Sequence, residues 1–147
     1  MDFKAIVSAR VCPYCGSATV LKVSSAHIYF GRDYGPVWQC RSYPVCDAYV
    51  GCHKDTNIPL GRLANSELRK AKNAAHRIFD DLWRRKIRRE QCSKTSARAS
   101  AYKWLSAQMG TPPELTHIGM FDVEQCRRVV QICRPYSIGD HAPSATA

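Results

Sequence analysis

No stretch of this 147-residue chain approaches the ~20 consecutive apolar residues that a bilayer-crossing helix needs. The opening MDFKAIVSAR also has too short an apolar run for a secretory signal. The first absence excludes a helical membrane span, and together they lead to the expectation of a cytoplasmic protein with no membrane partner. No internal repeat is visible, which excludes a repeat architecture and leaves room for one ordinary domain or two small, unequal ones. Acidic residues are scarce, 12 against 22 Lys and Arg, so the formal charge is +10. Aliphatic residues are scarce locally: residues 11–57 are rich in Cys, Gly, Pro and aromatic side chains, with only short apolar runs such as TVLKV (residues 19–23) and HIYF (residues 27–30). Those runs read as strands separated by the turns SSA and GRDYGP. A β unit so poor in aliphatic residues needs a staple.

What is present in quantity is cysteine, eight residues in all. A reducing compartment disfavours stable disulfides, so clustered cysteines there point to metal binding or redox chemistry. CPYCG (residues 12–16) and CRSYPVC (residues 40–46) together spell C-x2-C-x24-C-x5-C. Zinc takes four thiolate or imidazole ligands in a tetrahedron, and two close pairs on separate turns supply them while a hairpin spans the gap. Cys12, Cys15, Cys40 and Cys46 are therefore the expected ligands of one Zn2+ per chain, against the alternative of two buried, unliganded thiol pairs. Cys52 and His53 follow closely, and either could replace one of the four.

Beyond NIPLG (residues 57–61) the pattern changes from strands to helices. Leu68, Ala71, Ala75, Ile78, Phe79, Leu82, Trp83 and Ile87 follow one helical face, which predicts a helix from Ser66 to about Gln91 capped by Asn65 or Ser66. A second helix is expected from Ser96 through YKWLSAQM to Gly110. A third follows Asp122, which with Gln125 forms a capping box, while Phe121 before it staples onto Cys126; its stripe is Cys126, Val129, Val130 and Cys133. The reading is an α+β chain: a zinc ribbon over residues 1–60, a basic helical domain over 61–135, and a flexible tail over 136–147.

Positive charge is concentrated in that helical part. Residues 62–103 hold 13 Lys or Arg against four Asp or Glu, and WRRKIRRE (residues 83–90) places five cations within two turns. Such a field attracts phosphates, an anionic membrane or an acidic protein surface, unless it is simply a solvated helix face. Nucleic acid is the partner that uses both halves. Arg69, Lys72, Arg84, Arg85, Arg88 and Arg89 would neutralise phosphates, and Tyr34, Trp38 and Tyr43 would stack unpaired bases. No helix carries an obvious base-reading set beside a short turn, so weak sequence selectivity and single strands, DNA or RNA, are expected. Catalysis has little support. His76 with Asp80 and the residue His117 read as structural, and Cys92, Cys126 and Cys133 read as core thiols rather than a second metal site.

Two resemblances add to this. CPYCG and GRDYGPVWQCRSYPVC resemble the C-terminal zinc ribbons of type IA DNA topoisomerases, small β modules that bind single-stranded DNA and sometimes RNA polymerase. Over its whole length, through CPYCG, AYVGCHKDTNIPLGRLANSELR, AHRIFDDLW, YKWLSAQMG and HIGMFDVEQC, the chain is similar to a phage and prophage family described as a zinc-finger-containing domain. The resemblance implies a metal site and a viral origin. It leaves open a second role, a counter-defence or host-takeover inhibitor, for example an anti-CRISPR protein, that binds a host protein complex.

Overall fold

A computed structural model describes residues 2–137; most of the expected tail lies outside them. The chain divides into two compact units, Met1–Arg69 and Lys70–Ala147, with the division falling inside a long helix.

The first unit opens with a short helix, α1 (Phe3–Val7), N-capped by Asp2. Three short strands follow, β1 (Thr19–Lys22), β2 (Val37–Cys40) and β3 (Tyr49–Gly51), in an antiparallel sheet ordered β1-β2-β3. The register pairs Thr19 with Cys40 and Gln39 with Tyr49, so the second cysteine pair begins at the end of the central strand. Ala9, Cys12, Cys40, Ala48, Val50 and Leu63 form the core, with Trp38 and Cys46 packed against it. Three of those eight side chains are thiols, which is what an aliphatic-poor ribbon implies: the staple and the core share residues.

The run HIYF, expected as a strand, is instead a helical turn. The amides of Ile28 and Tyr29 both reach the Ser25 carbonyl, at 3.0 and 3.2 Å, and the Gly31 amide reaches Ala26 O at 2.8 Å. The cause is local polar chemistry. Asp33 Oδ1 accepts from the amides of Ser25 and Gly35, at 3.1 and 2.8 Å, and Ser25 Oγ accepts from the Tyr34 amide at 2.8 Å. These side-chain bonds give the backbone a better outlet than a ladder. The strand that pairs with β1 is VWQC, whose apolar content is interrupted by Gln39.

The second unit is helical. Helix α2 (Ser66–Glu90) straddles the division of the chain, and Asn65 Oδ1 accepts from the Leu68 amide at 3.0 Å to cap its start. Its predicted face is the inward one: Leu68, Ala75, Phe79 and Trp83 are buried, and Ala71, Ile78, Leu82 and Ile87 half-buried. Helix α3 (Lys94–Met109) starts earlier than expected because Ser93 caps it, its side chain accepting from Ser96 N. It stops at Gly110, whose φ of 69° a side-chain-bearing residue would adopt only at a cost. Helix α4 (Val123–Cys133) carries the expected capping box, Asp122 Oδ1 to Gln125 N at 2.8 Å and Asp122 N to Gln125 Oε1 at 3.0 Å. Phe121, Cys126, Val129 and Cys133 are buried and Val130 half-buried.

Candidate metal centre

Each cysteine pair sits on a turn whose backbone is bent toward its sulfurs. In the first, the Cys12 amide donates to Ser17 O at 2.8 Å and the Gly16 amide to Cys12 O at 2.9 Å, Gly16 taking a φ of 75° that favours glycine. In the second, Tyr43 N reaches Cys40 O at 3.0 Å and Cys46 N reaches Ser42 O at 3.2 Å, with a cis Tyr43-Pro44 peptide between. The Ser42 amide points at Cys40 Sγ, 3.4 Å away. Tyr14 ties the first turn down: its hydroxyl donates to Leu63 O and accepts from the Asn65 amide, at 3.3 and 3.2 Å.

The two turns bring four sulfurs to one point. Cys12 Sγ lies 3.6 Å from Cys46 Sγ, Cys15 Sγ lies 3.4 Å from Cys40 Sγ, and all four lie within 4.8 Å of one another. A zinc–sulfur bond of about 2.3 Å makes the edge of a sulfur tetrahedron roughly 3.8 Å, so the spacing matches one zinc ion. It is far longer than a disulfide, at about 2.0 Å, and all four thiols are free. Cys12 and Cys40 are buried, Cys46 half-buried and Cys15 exposed. Burial pushes the Cys12 thiol up to about 12, partly opposed by the Tyr14 and Cys15 amides. Burial also raises Cys40, with the Ser42 amide opposing. Cys15 is lowered to about 6, chiefly by the Ser17 hydroxyl and amide, with the Cys40 thiol adding to them. A metal taken up here must displace protons from buried thiols, which makes binding weaken as pH falls.

Neither candidate substitute belongs to the cluster, which is the one such group among the described residues. Cys52 bridges to Pro59, and its thiol is raised by burial. His53 is exposed, and its amide donates to Ile58 O at 2.9 Å.

The expected nucleic-acid contacts fall into two sets. Arg69 is turned into the ribbon: it pairs with Asp47 at 2.9 Å, donates to the carbonyls of Asp47 and Ala64, and lies 4.3 Å over the Tyr49 ring. Lys72 donates to Gly119 O at 2.9 Å, and Arg85 pairs with Asp81 at 3.1 Å and donates to Tyr136 O. Trp38 is half-buried with its indole N–H on Asn57 O at 2.8 Å, and Tyr43 packs edge-on against His27 and Tyr49. These five are engaged within the fold: the Arg85–Asp81 pair has the i, i+4 spacing that sequence shows, and the partners of the other four come from elsewhere in the chain. Arg84, Arg88 and Arg89 are exposed, and so is Tyr34. Lys94 and Arg98, outside the expected contact set, are exposed on α3 and converge with Arg84 on the Trp83 ring, at 5.6, 6.0 and 5.1 Å. Their i, i+4 spacing was the available signal.

The residues weighed for catalysis have partners within the fold. The Asp80 carboxylate accepts from Trp83 Nε1 at 2.9 Å, and His117 leans on the Tyr102 ring at 5.3 Å. Cys126 and Cys133 are buried, and burial pushes Cys133 up to about 12. His76 is held below its ordinary value by burial, Asp80 opposing and Lys72 and Arg98 assisting. The unfolded chain then binds this proton more readily than the folded one, so His76 costs stability as pH falls through about 6.5, its unfolded value. We expect the melting temperature to drop between pH 7.5 and pH 5.5, and to drop less in His76→Gln. Equal drops in both proteins would refute the assignment.

A family model for a zinc-finger-containing domain matches residues 8–136. No curated protein and no solved structure matches the chain. The match spans the sulfur cluster and the helices alike. With its four ligand-ready cysteines at tetrahedral spacing, binding one zinc ion, the chain belongs to this zinc-finger-containing domain family.

Proposed function

We propose that this chain is a phage-encoded, non-enzymatic accessory protein that holds single-stranded DNA or RNA. The observation that carries the reading is the exposed positive charge of the helical unit: Arg84 on α2 converges with Lys94 and Arg98 on α3 at the Trp83 ring, and Arg88 and Arg89 are exposed near the end of α2. Glu90 at the end of α2 engages Lys86 and Arg89 and leaves most of that charge uncompensated. Guanidinium and ammonium groups in such density bind a polyphosphate backbone, releasing its counterions, and need no base-specific contact to do so. The zinc ribbon supplies exposed aromatic surface, which suits unpaired bases. Its motif-level likeness to topoisomerase ribbons supports the same ligand.

Titration of labelled single- and double-stranded oligonucleotides at two salt concentrations tests this. The expected result is tighter binding to single strands, little dependence on base composition, and affinity that falls steeply with salt. A salt-insensitive preference for one duplex sequence contradicts it. So does failure to bind any oligonucleotide together with nuclease-resistant capture of a host protein complex, which favours the inhibitor role.

A further inference from the structure

Phe30 is 101% exposed, more than any other large hydrophobic among the described residues. It also has a φ of 56°, a left-handed conformation that a bulky residue adopts at a cost. Folding gains no burial from this ring and accepts a disfavoured backbone to display it. The loop that does so is built rather than frayed: Ser25 is buried, its hydroxyl holds the Tyr34 amide, and Asp33 holds the amides of Ser25 and Gly35. A disfavoured conformation that the surroundings over-determine is a pointer to function.

We propose that residues 25–35 form a stacking platform for unpaired nucleobases, with Phe30 and Tyr34 as its ring faces and Lys54 as the adjoining phosphate contact. The proposal rests on the nucleic-acid reading above and names residues that carry it in the ribbon. Tyr34, 65% exposed, stands edge-on to Tyr29 at 5.0 Å and 84°. Tyr29 in turn meets Tyr49 at 6.3 Å, and Tyr49 lies beneath Arg69. Tyr34 is thus backed by a chain of aromatic contacts down to the sheet, while Phe30 stands clear of it. Arg32 Nη1 donates to the Tyr34 hydroxyl at 3.4 Å, which places a cation at the platform's edge.

Tyr34 also forms one wall of an open groove of about 610 Å3, with Pro36, His53, Lys54 and Asn57 among its lining residues and Asp55 the one carboxylate there. That volume admits a ring of nucleobase size. Exposed rings beside cations, on a chain of net charge +10, complement a ligand with apolar ring faces and an anionic backbone. Single-stranded nucleic acid has both. Stacking of this kind is tolerant of sequence, since every base offers a π-face.

The test uses the full-length zinc-loaded protein and a labelled oligothymidylate. Phe30→Ala should weaken binding about tenfold, within the range of one lost stacking contact, with the slope of affinity against salt unchanged; Phe30→Trp should restore it. Lys54→Gln should flatten the slope. An oligonucleotide bearing 5-iodouracil should photocross-link to the peptide containing Phe30 or Tyr34. Unaltered affinity in Phe30→Ala and no cross-link to this loop, in a protein that still binds through its helical cations, would overturn the platform and leave the nucleic-acid reading standing. Absence of binding by the unaltered protein would overturn both. Since Phe30 is exposed, its removal should leave zinc content and circular dichroism as they were.

Discussion

Cys40→Ser should release the zinc and unfold the N-terminal unit while most helical signal survives. The reason is that Cys40 is both ligand and core: it is fully buried, pairs with Thr19 at the sheet's end, and lies 3.4 Å from Cys15 Sγ. Structural zinc contributes roughly 10–16 kcal/mol to folding in small zinc-finger peptides. Whole domains are stable by only about 5–15 kcal/mol, so losing a ligand leaves this unit little to stand on. The helical unit has its own buried set in Phe79, Leu105, Ile118, Phe121 and Val129 and should keep its circular dichroism. Elemental analysis should find one zinc in the unaltered protein and none in Cys40→Ser. Cys52→Ser, outside the cluster, should retain the metal. Metal-free protein prepared without chelator, and still folded, would sink the assignment.

Replacing Arg84, Arg88 and Arg89 together by Gln should reduce affinity for single strands on the order of fifty-fold at physiological salt. That figure follows from losing three phosphate contacts, each worth roughly 0.7 in the slope of log affinity against log salt for single strands. The slope itself should flatten by about two units for the same reason. Arg69→Gln provides the contrast. Its guanidinium is committed to Asp47, Ala64 and Tyr49, so the change should lower the stability of the ribbon and leave the salt slope alone. If the triple variant binds as well as the unaltered protein, α2 is not the electrostatic contact. If it binds oligonucleotides normally but loses a host protein complex, the basic helix is a protein-docking surface.

Much of the metal centre and the helical unit is legible in the chain itself because local rules govern them. Paired cysteines at C-x2-C and C-x5-C constrain their own turns. The period from Leu68 to Ile87 names the buried face of α2, and Asp122 with Gln125 satisfies helix-end amides wherever it occurs. The ribbon's second strand is less legible. HIYF has the composition of a strand, yet Ser25 and Asp33, on either side of it, hydrogen-bond the backbone into a turn, and VWQC takes its place beside β1.

The surface chemistry divides along the same line. Sequence alone determines that the chain carries a four-cysteine zinc set and a strong excess of positive charge, since ligand spacing and net charge are properties of the covalent chain. Which cations and rings face solvent was decided only by tertiary structure. Arg69 and Lys72 look the same in sequence as Arg84 and Arg88, but the first two meet Asp47 and Gly119 O. Trp38 and Tyr43 fold into the ribbon, while Phe30, written in an apolar run, is displayed. For Arg69, Lys72 and Trp38 availability depends on partners that are distant in sequence and close only after folding, and no local pattern encodes them.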